Sequence, residues 1–294
     1  MEHIYVTADD RLQKVFDKAA PGSVIHLAPG VYRQKVVIRT PELTIVGAGA
    51  GKTRIVYDDY ARKRDEQGFE YITFRTYTLA VCADGICMQN LSVINDAGHP
   101  EIKGQQVALS VLGTRFSMEN CTLTSTQDTL FLGPLPPDLI ERYEGFLADE
   151  LRRGGEMQQH FQNCTIEGTV DFIFGCGNTL FEDCVIRSLT DARNVGYVAA
   201  PAHSESQKNG FCFRRCEILC DGGVSAGSIY LARPWRDYGL ARFEDCSYGE
   251  HIAAAGFDPW NGTARDRTAR FFEHPVVPGR VSWANKTELA GKNT

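Results

Sequence analysis

Two aspartates share one spacing. Asp128 follows Cys121 by seven residues, and Asp171 follows Cys164 by seven. If those cysteines hold equivalent places in successive turns of a repeating chain, the aspartates stand side by side, one strand spacing (~4.8 Å) apart. Two carboxylates that close do not both ionise freely. One keeps its proton toward neutrality while the other stays a nucleophile. That is the arrangement a nucleophile and a general acid need. Asp191 follows Cys184 at the same distance, yet 189–193 (LTDAR) reads as an ordinary polar loop. Phase alone therefore leaves a second reading open, in which all three are turn aspartates.

The elements that would position these side chains come from a six-residue pattern. It recurs at 88–93, 118–123, 161–166, 181–186, 213–218 and 243–248. Each copy has an apolar residue, two polar residues, a Cys or Leu, any residue, then an apolar residue. The polar pair suits a corner and the flanking alternation suits short strands. The fourth positions, Leu91, Cys121, Cys164, Cys184, Cys216 and Cys246, lie 30, 43, 20, 32 and 30 residues apart. Short strands recurring at such intervals mark a solenoid whose coils stack and whose equivalent residues form ladders. Five cysteines in one ladder act as small buried hydrophobes, so they read as reduced and structural rather than as a disulfide framework. Helical patterns are few. One, Asp9 to Ala19, places Leu12, Val15 and Phe16 on one face and would cap an open end; Pro21 and Gly22 stop it. A second is expected from Asp138 to Arg153. The chain is read as one domain, 1–294, with irregular insertions at about 57–74 and 133–157 and a C-terminal tail from about Arg270.

The local sequences narrow the chemistry. Segments 127–131 (QDTLF), 168–175 (GTVDFIFG), 231–235 (LARPW) and 104–109 (GQQVAL) closely resemble motifs of pectin methylesterases, and they occur in that family's order. Segment 24–32 (VIHLAPGVY) resembles the family's first coil. The resemblance runs from about residue 5 to 285. It implies an all-β fold, a right-handed single-stranded parallel β-helix, and hydrolysis of methyl esters of galacturonate. By motif, Asp171 would attack the ester carbonyl and Asp128 would protonate the departing methanol. Gln105 and Gln127 would donate to the oxyanion. Arg233 would pair with Asp171 and lower its pKa. Trp235, with Phe131 and Phe174, would offer rings to the sugars. No metal or other cofactor is implied. The implied partner is methylated homogalacturonan or its oligogalacturonides, met by a monomer in pectin degradation or cell-wall modification.

Departures from the pattern are specific. Ala232 stands where the family commonly has glycine, and Phe131 where it has tyrosine. The interval from Asp128 to Asp171 is long, because 133–157 lies within it. The two insertions are expected to wall the cleft and favour short oligogalacturonides over long pectin. Competing classes are a pectin lyase or glycoside hydrolase on the same scaffold, and a non-catalytic sugar-binding solenoid, which would predict a missing carboxylate.

The bulk numbers agree with a packed enzyme domain. Apolar residues at 43% supply a core, and the net charge of −6 argues against a nucleic-acid partner held through phosphates. No apolar run is long enough for a membrane span. The first residues show no basic or apolar leader, so the expected location is cytoplasmic, the alternative being secretion with the signal already removed. Segment 47–53 (GAGAGKT) resembles a phosphate-binding loop but has Val46 where the first glycine is needed. Cys212, Cys216 and Cys220 do not match iron–sulfur or zinc spacings. His99, His160, His203 and His274 are expected at the surface or in turns.

Overall fold

The structure, a computed structural model, describes residues 1–285. Its strands form three sheets, and every pairing between successive coils is parallel. A ten-stranded sheet runs from His3–Val6 to Arg270–His274, and an eight-stranded one from Gly30–Arg33 to Ser247–Tyr248. A seven-stranded sheet runs from Val36–Ile38 to Ile229–Ala232. A coil gives one strand to each in turn, as in Phe116–Glu119, Thr122–Thr124 and Leu130–Leu132. This is the parallel β-helix expected from the repeat.

The repeat sets the register. Its first positions pair in sequence, Met88 with Met118, then Phe161, Phe181, Phe213 and Phe243. Its sixth positions pair likewise, from Val93 through Leu123, Ile166, Ile186 and Ile218 to Tyr248. The third position turns the chain from one sheet to the next in the left-handed region, with φ of 58° at Asn90, 54° at Asn120, 52° at Asn163, 54° at Asp183, 51° at Arg215 and 53° at Asp245. Asn and Asp tolerate that conformation better than other side chains, which is why the corner reads as polar.

Inside, rings stack coil on coil. Phe161, Phe181, Phe213 and Phe243 have centroids 5.1, 4.6 and 4.6 Å apart in succession. Burying each ring contributes roughly 2 kcal/mol. The cysteine ladder lies beside them. Cys121, Cys164, Cys184 and Cys216 are buried, and each thiol donates to the carbonyl two residues earlier. Burial pushes the Cys121 thiol up to about 12. All ten cysteines are unbridged.

The N-terminal helix, Leu12–Lys18, buries Leu12 and Phe16. Its Gln13 amide bonds both backbone groups of Val37, at 2.8 and 2.9 Å, on the end strand of the seven-stranded sheet. A sheet edge left open there would invite pairing with another chain.

Three expectations need correction. The second helix is only Pro137–Arg142, followed by a 3-10 turn at Asp149–Arg152. Gly145, at φ 72°, breaks the run between them. The tail does not begin at Arg270, because Arg270–His274 is the last strand of the ten-stranded sheet, with Phe271 and Phe272 buried; 286–294 lie outside the described residues. His203 is not at the surface: it is 1% exposed. Its Nε2–H donates to the Gly177 carbonyl and its Nδ1 accepts from the Leu240 N–H. Burial lowers its pKa to about 4, so it is neutral.

Candidate active site

The seven-stranded sheet carries the site: Asp128 precedes the strand Leu130–Leu132, Asp171 is the second residue of Val170–Gly175, and Arg233 follows Ile229–Ala232. Leu130 pairs with Ile173 and Phe131 with Phe174, so Asp128 and Asp171, two residues before the first of these pairs, occupy equivalent places on neighbouring coils. The Asp128 N–H donates to the carbonyl of Val170 at 3.1 Å. Both aspartates take left-handed backbone, φ 66° and 50°. On its other side the Asp171 coil slips register between Val170 and Ile173. Such a bulge re-aims one side chain of a strand. Here Phe172 stays in the core, 0% exposed, while Asp171 lines the cleft. Gly175 permits this packing: at φ 129°, a Cβ there would meet the Leu132 carbonyl oxygen at 2.1 Å.

The cleft, about 450 Å³, is lined by Gln105, Gln127, Asp128, Asp171, Phe174, Arg233 and Trp235 among others. Seven of the eight residues expected from sequence therefore meet in one place. Phe131 does not: its ring is 1% exposed, packed between Phe74 and Phe174 at 5.2 and 5.1 Å. It supports the cleft floor and is not open to a sugar. A larger cavity of about 610 Å³ lies beyond Trp235, lined by Pro134, Cys176, His203 and Tyr238, but it holds neither carboxylate of the pair.

Arg233 grips Asp171 with two bonds, Nε to Oδ1 at 2.7 Å and Nη2 to Oδ2 at 2.6 Å. The guanidinium lies between Tyr197 and Trp260, 3.7 and 4.1 Å from their ring centroids. A planar cation held between two aromatic faces and a carboxylate has little freedom to leave. Burial and the charge of Asp171 raise the pKa of Asp128 well above the carboxylate range. The expected lowering at Asp171 does not occur. Burial raises its pKa too, with the Arg233 bonds holding the rise back. Of the two, Asp171 is the group suited to stay ionised.

Sequence reading missed several contributors. Tyr197 and Trp260 lie at no repeat position. Arg193, from the loop set aside around Asp191, donates to Gln127 Oε1 at 2.9 Å. The insertions supply the walls: Thr73 and Phe74 from the first, Leu139, Arg142 and Tyr143 from the second. A shared feature betrays the first pair only in hindsight, since an arginine buried on a carboxylate needs flat partners.

Comparison with known proteins identifies the family. The Pectinesterase family model matches residues 2–133 and 151–290. The chain belongs to the pectinesterase family. It is an ester hydrolase of the pectin methylesterase type, and the unmatched stretch, 134–150, falls in the helical insertion. Pectinesterase QRT1 of Arabidopsis thaliana is 30% identical over 95% of this chain and 69% of its own length. Pectin methylesterase from carrot superposes with a TM-score of 0.80 at 25% identity, covering 96% of this chain and 86% of that one. A pectin methylesterase in complex with hexasaccharide VII gives 0.80 at 23% identity, covering 100% and 96%.

Proposed function

We propose that this esterase removes methyl groups from galacturonate units by way of an acyl-enzyme on Asp171. The observation that carries the reading is the asymmetry of the pair: Asp171 is held by Arg233 at 2.6 and 2.7 Å, while Asp128 beside it has a pKa raised by burial and by that neighbour's charge. The Asp171 carboxylate attacks the ester carbonyl carbon. Gln105 and Gln127 donate amide hydrogens to the oxyanion, each such donor supplying about 3 kcal/mol. As the intermediate collapses, methoxide leaves with the proton of Asp128. Water then enters, Asp128 takes one of its protons, and the hydroxide displaces Asp171 from the acyl carbon. The products are methanol and a free galacturonate carboxyl group.

Trp235 lines the cleft where a sugar ring would lie, with the buried Phe174 ring packed against it at 5.8 Å, and Arg142 brings positive charge suited to neighbouring galacturonates. A related esterase occurs in complex with a hexasaccharide, which supports an oligogalacturonide as the ligand. The walls support a short one. Phe69 meets Phe146 at 6.5 Å, Phe74 meets Tyr143 at 6.0 Å, and the Arg75 guanidinium lies 5.0 Å from the Phe146 ring. The two insertions thus interlock above the cleft.

Methanol release from methylated oligogalacturonides tests the core of the reading. Wild type releases methanol without cleaving the chain, and Asp171→Ala loses activity on the order of 10⁴-fold or more. Chain cleavage by wild type, or an Asp171→Ala variant near wild-type turnover, overturns it.

A further inference from the structure

Asp191 shares the spacing of the catalytic pair but not its place. It opens a turn, with the Asn194 N–H donating to its carbonyl at 3.0 Å, on the loop between the strands Val185–Ser188 and Gly196–Pro201. Its carboxylate is only 5% exposed and is given to Arg193. Nε of Arg193 donates to Oδ1 at 2.7 Å, Nη2 to Oδ2 at 2.5 Å, and the Arg193 backbone N–H to Oδ1 at 2.8 Å. A guanidinium so fixed has Nη1 left to give, and it donates to Gln127 Oε1 at 2.9 Å.

That bond decides which way the Gln127 amide faces. With Oε1 on the guanidinium, the NH₂ group points the other way, toward Asp128, whose ionised form it favours. The flipped amide would set its N–H groups against those of Arg193, donor against donor. Arg193 does not itself line the cleft; Gln127 does. An oxyanion donor works only when already aimed at the developing charge. We propose that Asp191 and Arg193 are a positioning pair that holds the Gln127 amide with its N–H₂ group toward the reacting carbonyl. This rests on the reading of Gln127 as an oxyanion donor.

Four enzymes measured on a methylated oligogalacturonide test it: wild type, Gln127→Ala, Arg193→Ala and the double variant. Gln127→Ala is expected to lower kcat on the order of 10²-fold or more. Arg193→Ala is expected to lower kcat about tenfold or more with KM unchanged, because misaimed donors remain present. The double variant should be no slower than Gln127→Ala alone. Where Arg193→Ala fails to fold, Asp191→Asn keeps the size of the side chain and loosens the guanidinium. It should then lower kcat at unchanged KM in the Gln127 background of wild type and have no effect in Gln127→Ala. Losses that multiply in the double variant, a kcat of Arg193→Ala within about twofold of wild type, or a raised KM at unchanged kcat each overturn the pair. A wild-type kcat in Gln127→Ala instead removes the oxyanion reading, and the pair with it.

Discussion

Asp128 and Asp171 are both buried acids, yet their neighbours separate them. Only Asp171 has an arginine bonded to it, and only Asp128 is raised well above the ordinary range. A bell-shaped dependence of kcat/KM on pH should follow, rising as Asp171 loses its proton and falling at higher pH as Asp128 loses its own. Stability carries the same signature. A carboxyl whose pKa is higher folded than unfolded keeps its proton where the unfolded chain has lost it. The native state is therefore penalised as pH rises above the unfolded value, near 3.8. Asp128→Asn removes that penalty. It should melt at a higher temperature than wild type at neutral pH, lose the advantage below about pH 4, and lose activity by roughly 10² to 10⁴-fold, as a missing general acid does. Thermal melts across pH, run beside methanol assays, check both halves; a lower melting point at neutral pH would contradict the account. At this scale the repeat's phase offered Asp128 and Asp171 beside Asp191, and the motif resemblance chose between them and added Gln105, Gln127, Arg233, Trp235 and Phe174. Arg193, Tyr197 and Trp260 stayed hidden: Arg193 and Trp260 reach the site from loops whose path no periodicity fixes, and Tyr197 stands in the strand Gly196–Pro201 beside the register slip. Asp191 has the same spacing, yet it opens a turn on the loop between Val185–Ser188 and Gly196–Pro201 and so leaves the line of the pair.

The corner residue is the element on which the coils depend. Asn163 turns the chain just before Cys164 at φ 52°, and its N–H donates to the Glu182 carbonyl of the next coil at 3.1 Å. Asn163→Ala keeps that bond but leaves the left-handed corner without the short polar side chain that tolerates it, at a cost of about 1 kcal/mol. Asn163→Gly removes the steric conflict and should lie closer to wild type, the added flexibility of the unfolded chain working against it. Denaturant melts of the two variants separate the effects, and an alanine variant as stable as the glycine one would show that the corner is relaxed. The same corner explains why the fold was readable from the repeat: a column of mostly Asn and Asp between a column of rings and a column of thiols has few alternative packings. The second helix was not readable, because its apolar spacing continues across Gly145 while the backbone does not.

At the scale of the whole molecule, the proposed preference for short chains rests on the interlocked insertions. Phe146, held by Phe69 and by Arg75, is the contact through which the two loops lean on each other. Turnover on methylated trimers to hexamers should exceed turnover on high-methoxyl pectin. Phe146→Ala should narrow that difference by freeing the loops; a wild-type enzyme that favours polymer would remove the idea. The stack itself has a further outcome. Each coil pairs its strands with those of the coils above and below it, and the coils bearing Asp128 and Asp171 lie within the stack, covered by further coils on both sides. Opening by local fraying starts where a coil has one neighbour. Amide hydrogen exchange should therefore slow from both ends toward the coil joining Thr122–Thr124 to Leu130–Leu132, and catalysis should persist in mild denaturant after the terminal amides have begun to exchange.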